Sequence, residues 1–473
     1  MEVLKKEFID AYSISDDLRF VGCSCFSYEN SYENSCFILN NTTGVSLILS
    51  KSIVDMIKSR NLRSDIKLKL LQRGFLVSGQ YNRKPLSSSQ GNQNIPRFFF
   101  IEVTKNCNLH CKYCFRNFDL ASSYGTVSDE DCDKICSYII EFCKKNNLHR
   151  ISFQAWGGEP LLCIKQLKRI RENFDAVKGL DVNFIIQTNG TLLSKENVAI
   201  LKQCRINVGI SLDGFEMVQN YQRPYNTGHN SFDDIICGIE NLREANMGYG
   251  LLSVITKNSM EHIEDIVDFF VKKLGSKSIK FNIMRPNIYA TDDMGVPYEK
   301  ISTFIKRFIN KIIAINEEGY TLWDTNISDK LCNLSFGSSG NLCKANGCQG
   351  GKQIISFDKY GNIYPCELTD NKDVILGNIF DDKKDLKMLI EEATKKNEYF
   401  SERKVEACDS CCFRPFCRGG CPAAIRYAAD GRKIDTTECL INQALYPELI
   451  KLLLNKPKMA QRLMRNDVEF INI

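Results

Sequence analysis

Between Arg97 and Met284 six apolar runs, RFFFIEV, HRISFQA, VNFIIQT, RINVGIS, GYGLLSVIT and SIKFNIM, alternate with amphipathic stretches beginning near Ser128, Leu161, Ser194, Ser231 and Ser259. Short apolar runs bounded by turn residues predict strands, and the stretches between them predict helices. Strands that alternate with helices pair in parallel, because each helix carries the chain back to the same end of the sheet. Six such units are too few for the usual closed eight-stranded barrel. The prediction is an α/β fold, a partial (β/α)6 TIM-like barrel over residues 97–334, open along one side where a large substrate could enter.

In such a fold the site gathers at the carboxyl ends of the strands. CNLHCKYC, Cys107 to Cys114, follows the first strand; WGGEP (Trp156–Pro160) follows the second, TNG (Thr188–Gly190) the third, and SLDG (Ser211–Gly214) closes the fourth. A structural zinc usually closes with four ligands, and a cubane iron–sulfur cluster takes one thiolate per iron. Three cysteines spaced C-x3-C-x2-C, with no fourth nearby, therefore suggest a site left open. Each glycine-rich loop alone reads as a βα turn. Together, beside three thiols, they read as a binding rim.

Twenty-two cysteines against four histidines make thiolate chemistry the leading expectation, iron–sulfur before catalytic zinc. With no signal peptide and no apolar run long enough to cross a bilayer, a cytoplasmic protein without a disulfide framework is expected. The net charge of +5 is spread along the chain and makes no case for nucleic acid.

The triad, with Tyr113 before its last cysteine and GGEP after the second strand, resembles the radical S-adenosylmethionine (SAM) superfamily. The resemblance implies that Cys107, Cys111 and Cys114 hold a 4Fe–4S cluster whose fourth iron binds the amino and carboxylate groups of SAM. The missing ligand is then the cosubstrate. An electron from the cluster cleaves the sulfonium to give a 5′-deoxyadenosyl radical, which removes a hydrogen from an unactivated carbon. Carried over by motif, Tyr113, Gly158, Ser211, Arg223 and Met284 contact SAM, with Gly158 facing its amino group, Met284 near the adenine and Arg223 suited to the carboxylate through a bidentate pair.

Residues 335–445 hold the second cysteine set: Cys408, Cys411, Cys417 and Cys421 as C-x2-C-x5-C-x3-C, then Cys439, with Cys343, Cys348 and Cys366 upstream. Spacing alone also allows one or two zinc ribbons. The pattern resembles the SPASM extension of radical SAM enzymes that modify peptides and proteins. By that resemblance Cys343, Cys348, Cys366 and Cys421 hold one auxiliary 4Fe–4S cluster, and Cys408, Cys411, Cys417 and Cys439 another, three clusters in all. Two fully ligated auxiliary clusters point to electron transfer. Cys412 adjoins Cys411 and competes with it on spacing, while the other cysteines, Cys132, Cys136 and Cys143 among them, read as buried apolar residues. Residues 446–473 read as a helical tail.

Residues 1–78 read as a small α/β unit. SCFILN and VSLILS form a hairpin about NTTG, two short helices each open on a serine, and FLV returns as a strand. The polar stretch at 79–96 reads as a linker. The unit resembles the winged-helix-like domain with which peptide maturases add a leader peptide to a sheet edge. The resemblance implies an oxidoreductase acting on a ribosomally made precursor peptide, installing a thioether or carbon–carbon link, and served by an external one-electron donor such as flavodoxin or ferredoxin. The alternative is an anaerobic sulfatase maturase forming formylglycine. That group carries an aspartate proton acceptor where this chain has Glu367, and it lacks the N-terminal unit. A thiolate metal scaffold without catalysis is a third reading, which GGEP and SLDG disfavour.

Overall fold

The computed structural model describes residues 5–8, 13–15, 18–20, 23–27, 35–78, 95–116, 125–285, 294–337, 341–343, 348–369, 374–381, 385–396, 406–427, 431 and 433–464. Most of the predicted linker, 79–94, and the end of the predicted tail, 465–473, lie outside the described residues.

Among the described residues, seventeen strands form three sheets. The N-terminal region supplies β1 (Lys5–Phe8), β2 (Ser13–Ser15), β3 (Leu18–Phe20), β4 (Cys23–Ser27), β5 (Ser35–Asn40), β6 (Ser46–Ser50) and β7 (Leu76–Ser78). The six predicted parallel strands are β8 (Phe98–Thr104), β9 (Arg150–Gly157), β10 (Asp181–Thr188), β11 (Asn207–Ser211), β12 (Tyr249–Ile255) and β13 (Ser278–Ile283), followed by β14 (Trp323–Asp324), β15 (Ile354–Phe357), β16 (Asn362–Tyr364) and β17 (Gly377–Asn378).

The large sheet runs β14-β13-β12-β11-β10-β9-β8-β15-β16-β17 and does not close. Every neighbouring pair from β14 to β15 is parallel. Two parallel strands were thus not foreseen. One of them, β15, comes from the Cys-rich region and pairs Ile354 with Phe98 through Phe357 with Ile101. Its four residues are all buried, so the Cys-rich region is stitched onto the barrel edge. A four-residue apolar run carries too little periodicity to separate it from a buried turn.

The strands alternate with period two. On β9, Ile151, Phe153 and Ala155 join the core beneath the helices, while Gln154 and Trp156 line the inner cavity. Val182, Phe184 and Ile186 repeat this on β10, with Gln187 facing inward. At two of the predicted helix starts a serine caps the helix: the Ser128 and Ser194 hydroxyls accept from Asp131 N (3.1 Å) and Asn197 N (3.2 Å). The N-terminal helices Lys51–Lys58 and Ser64–Gln72 differ. Ser50 makes no side-chain cap, and Ser64 is already helical, with Arg63 at the cap position.

The hairpin of β5 and β6 pairs Cys36 with Leu49 and Phe37 with Ile48. Asn40 Oδ1 accepts from Thr42 N and Thr43 N, both at 2.9 Å, and fixes the turn. Gly44, at φ 75°, passes so close to Phe416 that a Cβ would lie 2.8 Å from its ring. Phe26 stacks on Phe413 (6.2 Å), and Phe26, Phe37 and Leu39 belong to the same core as Phe413, Phe416 and Tyr446. The N-terminal sheet therefore packs on the Cys-rich region and shares its core. Among the described residues no helix is long and apolar enough to cross a membrane.

Candidate functional site

A cavity of about 910 Å³ opens at the carboxyl ends of the parallel strands. Cys107, Cys111, Cys114, Tyr113, Gly158, Ser211, Arg223 and Met284 line one part of it; Cys343, Cys417, Cys421 and Glu367 line another. The predicted SAM contacts and part of the second cysteine set thus face one space.

The cysteine loop is held by the segment after SLDG. His110 N donates to Pro224 O (2.8 Å), Lys112 N to Gln222 O (3.0 Å) and Asn226 N to Asn108 O (3.0 Å). This zipper sets Arg223 beside the triad. Its guanidinium bonds the Tyr113 hydroxyl, which in turn donates to Asp213 Oδ2 (2.6 Å). Asp213 is fully buried and also accepts from Gln222 Nε2 (2.7 Å) and Val254 N (3.0 Å). Burial and the Asp213 carboxylate push the Tyr113 hydroxyl well above its ordinary pKa, so it stays a neutral donor. Sequence reasoning missed Asp213 and Gln222. The aspartate inside SLDG, at a buried strand end, was the available signal.

Glu159 of GGEP is completely buried and braces two loops. Its carboxylate accepts from Leu161 N (2.9 Å), Thr188 Oγ1 (2.7 Å) and Asn189 N (2.7 Å), tying the loop after β9 to that after β10. Asn189 then reaches Asn108 Oδ1 (2.8 Å) and lies 3.8 Å from Cys107 Sγ. Gly158 N donates to Thr104 O (2.8 Å), and a Cβ on Gly158 would fall 2.0 Å from Asn106 O. Its place is a backbone contact with the cysteine loop that only glycine permits. Ser211 accepts from Gln187 Nε2 (3.0 Å), and Met284 is buried at the end of β13.

Burial pushes the Cys107 thiol up to about 11 and the Cys111 thiol to about 12, so metal must displace their protons on binding. Among the described residues no three His, Cys, Asp or Glu groups converge tightly enough for a single metal ion. Three thiolates from one loop would hold three irons of a cubane and leave the fourth open to another ligand. Arg223 adds a second observation: its Nε is buried and has no hydrogen-bond partner, a donor left over for an acceptor such as a carboxylate.

In the second set, Cys421 lies within electrostatic reach of Cys343, Cys348 and Cys366. Cys439 is likewise near Cys408 and Cys411. Cys417 faces Lys330, Glu438 and Asn442. Cys412 is buried in the apolar core, whereas Cys411 is half-buried against it. Cys132, Cys136 and Cys143 are buried as expected, but Cys237 is exposed and Cys332 only half-buried. Burial raises the Glu367 carboxyl, opposed by nearby Lys280. Beneath the cavity, Arg285 at the end of β13 bonds Asp435 (2.8 Å) and Glu438 (2.9 Å), and buried Lys330 bonds Glu438 (2.8 Å). Sequence gave no sign of this ion network, which locks barrel to Cys-rich region.

Residues 101–270 match the radical SAM superfamily. That stretch, about a third of the chain, is where the similarity to the superfamily lies. The chain is 26% identical to the cysteine-type anaerobic sulfatase-maturating enzyme of Clostridium novyi (strain NT), over 67% of this chain and 86% of that protein. Among solved structures it resembles anSMEcpe with bound AdoMet, at TM-score 0.67 and 24% identity, covering 78% of this chain and 98% of that one. It also resembles Streptococcus suis SuiB bound to precursor peptide SuiA, at TM-score 0.50 and 16% identity, covering 92% of this chain and 99% of that one. The α/β fold with a mostly parallel, unclosed sheet matches radical SAM enzymes, a family that binds SAM and a 4Fe–4S cluster.

Proposed function

We propose that the protein is a radical SAM maturase of a ribosomally made precursor peptide, which removes a hydrogen from one residue and installs a thioether or carbon–carbon link. One observation carries this reading: the 910 Å³ cavity is bounded at once by the triad loop and by Cys343, Cys421 and Glu367. A substrate residue in it would stand between the reacting centre and an electron acceptor.

In this reading Cys107, Cys111 and Cys114 hold the SAM-binding cluster. Cys343, Cys348, Cys366 and Cys421 hold one auxiliary cluster, and Cys408, Cys411, Cys417 and Cys439 the other. When bound, the first cluster and SAM supply abstraction of a hydrogen atom from carbon. The chain's own residues do the rest. The free Nε of Arg223 takes the carboxylate of SAM, with Tyr113 and Asp213 fixing the guanidinium. Glu159 keeps the loops in register, Ser211 and Met284 complete the SAM wall, and Glu367 accepts the substrate proton.

Sulfatase-type maturation, with Cys or Ser oxidised to formylglycine, is the second reading, favoured by the relative in Clostridium novyi. The N-terminal unit weighs toward peptides. The likeness to SuiB covers 92% of the 473 residues, so at most about 38 lie outside it and the match must reach into the first 78. The likeness to anSMEcpe leaves about 104 outside.

Because Phe26 and Phe37 share the core of the Cys-rich region, the clean test shortens the peptide and leaves the enzyme whole. A leader-bearing precursor peptide should be processed, and its leaderless form should lose turnover by about tenfold or more, since docking the leader raises the local concentration of the core segment. SAM cleavage without peptide should persist. Equal turnover of both forms would exclude leader recognition, and formylglycine in a short sulfatase-type peptide would point to the second reading.

A further inference from the structure

The wall of the cavity between the triad and β15 holds donors that the mechanism does not use. Arg116, two residues past Cys114, donates from Nη1 to the buried Glu102 carboxylate (2.8 Å) and sits over Trp156, its guanidinium carbon 4.2 Å from the ring centroid. Arg116 Nη2 and Trp156 Nε1 are both buried, and neither has a hydrogen-bond partner. Buried donors left unpaired are rare, because they give up water and gain nothing. Two of them, adjacent and in the wall of a cavity, ask for an acceptor.

The geometry of the donors says which kind. Lys105 Nζ stands 3.9 Å from the same Glu102, so two cations face that carboxylate. All three side chains are at most 17% exposed, which limits solvent screening at this wall. A planar guanidinium beside an indole N–H forms a fork that matches a carboxylate better than a lone carbonyl. Around Trp156 the wall is apolar, built of Phe98, Phe100, Leu342 and Leu368, and it reaches Cys366.

We propose that Arg116 and Trp156 form a carboxylate subsite for an Asp or Glu side chain of the peptide being modified, with a neighbouring apolar residue lying on Phe98 and Phe100. This rests on the maturase reading and adds to it a substrate chemistry: an acidic residue beside an apolar one, near the modified position.

The test uses anaerobically reconstituted holoenzyme with SAM bound, and two probes, acetyl-Gly-Phe-Glu-Gly-amide and its Gln counterpart. The Glu peptide should bind about tenfold tighter, the difference a charged hydrogen bond makes at a desolvated site. Arg116→Gln should erase that preference. Trp156→Phe keeps the ring under Arg116 and deletes only the N–H, so the preference should fall about threefold with iron content intact; it decides the matter if the Arg116 variant does not fold. Equal binding of the two probes, an unchanged preference in Trp156→Phe, or displacement of SAM by the Glu peptide would each overturn the subsite. Turnover of the precursor without any Glu preference removes the subsite and leaves the maturase reading. A Glu preference without turnover of any precursor does the reverse.

Discussion

Replacing Cys107, Cys111 and Cys114 together by Ala is expected to abolish SAM cleavage and to lower the iron of anaerobically reconstituted protein from about twelve to about eight per chain, one cubane of three. The expectation follows from how the loop is held. Its backbone is fixed by Asn108, His110 and Lys112 against residues 222–226, and by Gly158 and Glu159 from the other side. None of these bonds uses a cysteine sulfur. The substitution therefore removes the ligands and leaves the frame, so the fold and the second cysteine set should survive. Mainly zinc in the wild type, or unchanged cleavage in the variant, would sink the radical reading.

Glu367→Gln should assemble its clusters and cleave SAM, yet slow product formation in single turnover by roughly 10²–10⁴-fold, the usual contribution of a general base. Glu367 follows Cys366, lines the cavity and has Lys280 nearby on β13. Gln keeps the size and polarity but cannot accept the proton in the same way. The competing account makes the carboxylate a structural partner of the Cys366 loop. A product rate within a few-fold of wild type, with clusters intact, would remove Glu367 from the mechanism.

How far the sequence reaches is clear from particular residues. The six parallel strands were legible because each is an apolar run bounded by turn residues, and some add a period-two signature, as in Gln154 and Gln187 facing inward from otherwise apolar strands. The triad, GGEP and SLDG were legible because cysteine spacing and glycine pairs are local. What was not legible is held by distant partners. β15 is four residues long and earns its strand pairing only from β8. Arg285, Lys330, Asp435 and Glu438 are separate charges in sequence and one buried network in space. Ser64 looks like a cap but stands one residue inside its helix. The packing of Phe26 on Phe413, which joins the first sheet to the Cys-rich region, spans nearly the whole chain.

The central claim is that a peptide residue gives up its hydrogen in the cavity between the two cysteine sets. It is tested most directly with a precursor peptide that the enzyme turns over, made from deuterated amino acids, and unlabelled SAM. The account predicts 5′-deoxyadenosine carrying one deuterium per modified peptide, together with a peptide lighter by the mass of the hydrogens lost. Unlabelled 5′-deoxyadenosine alongside a modified peptide would contradict it.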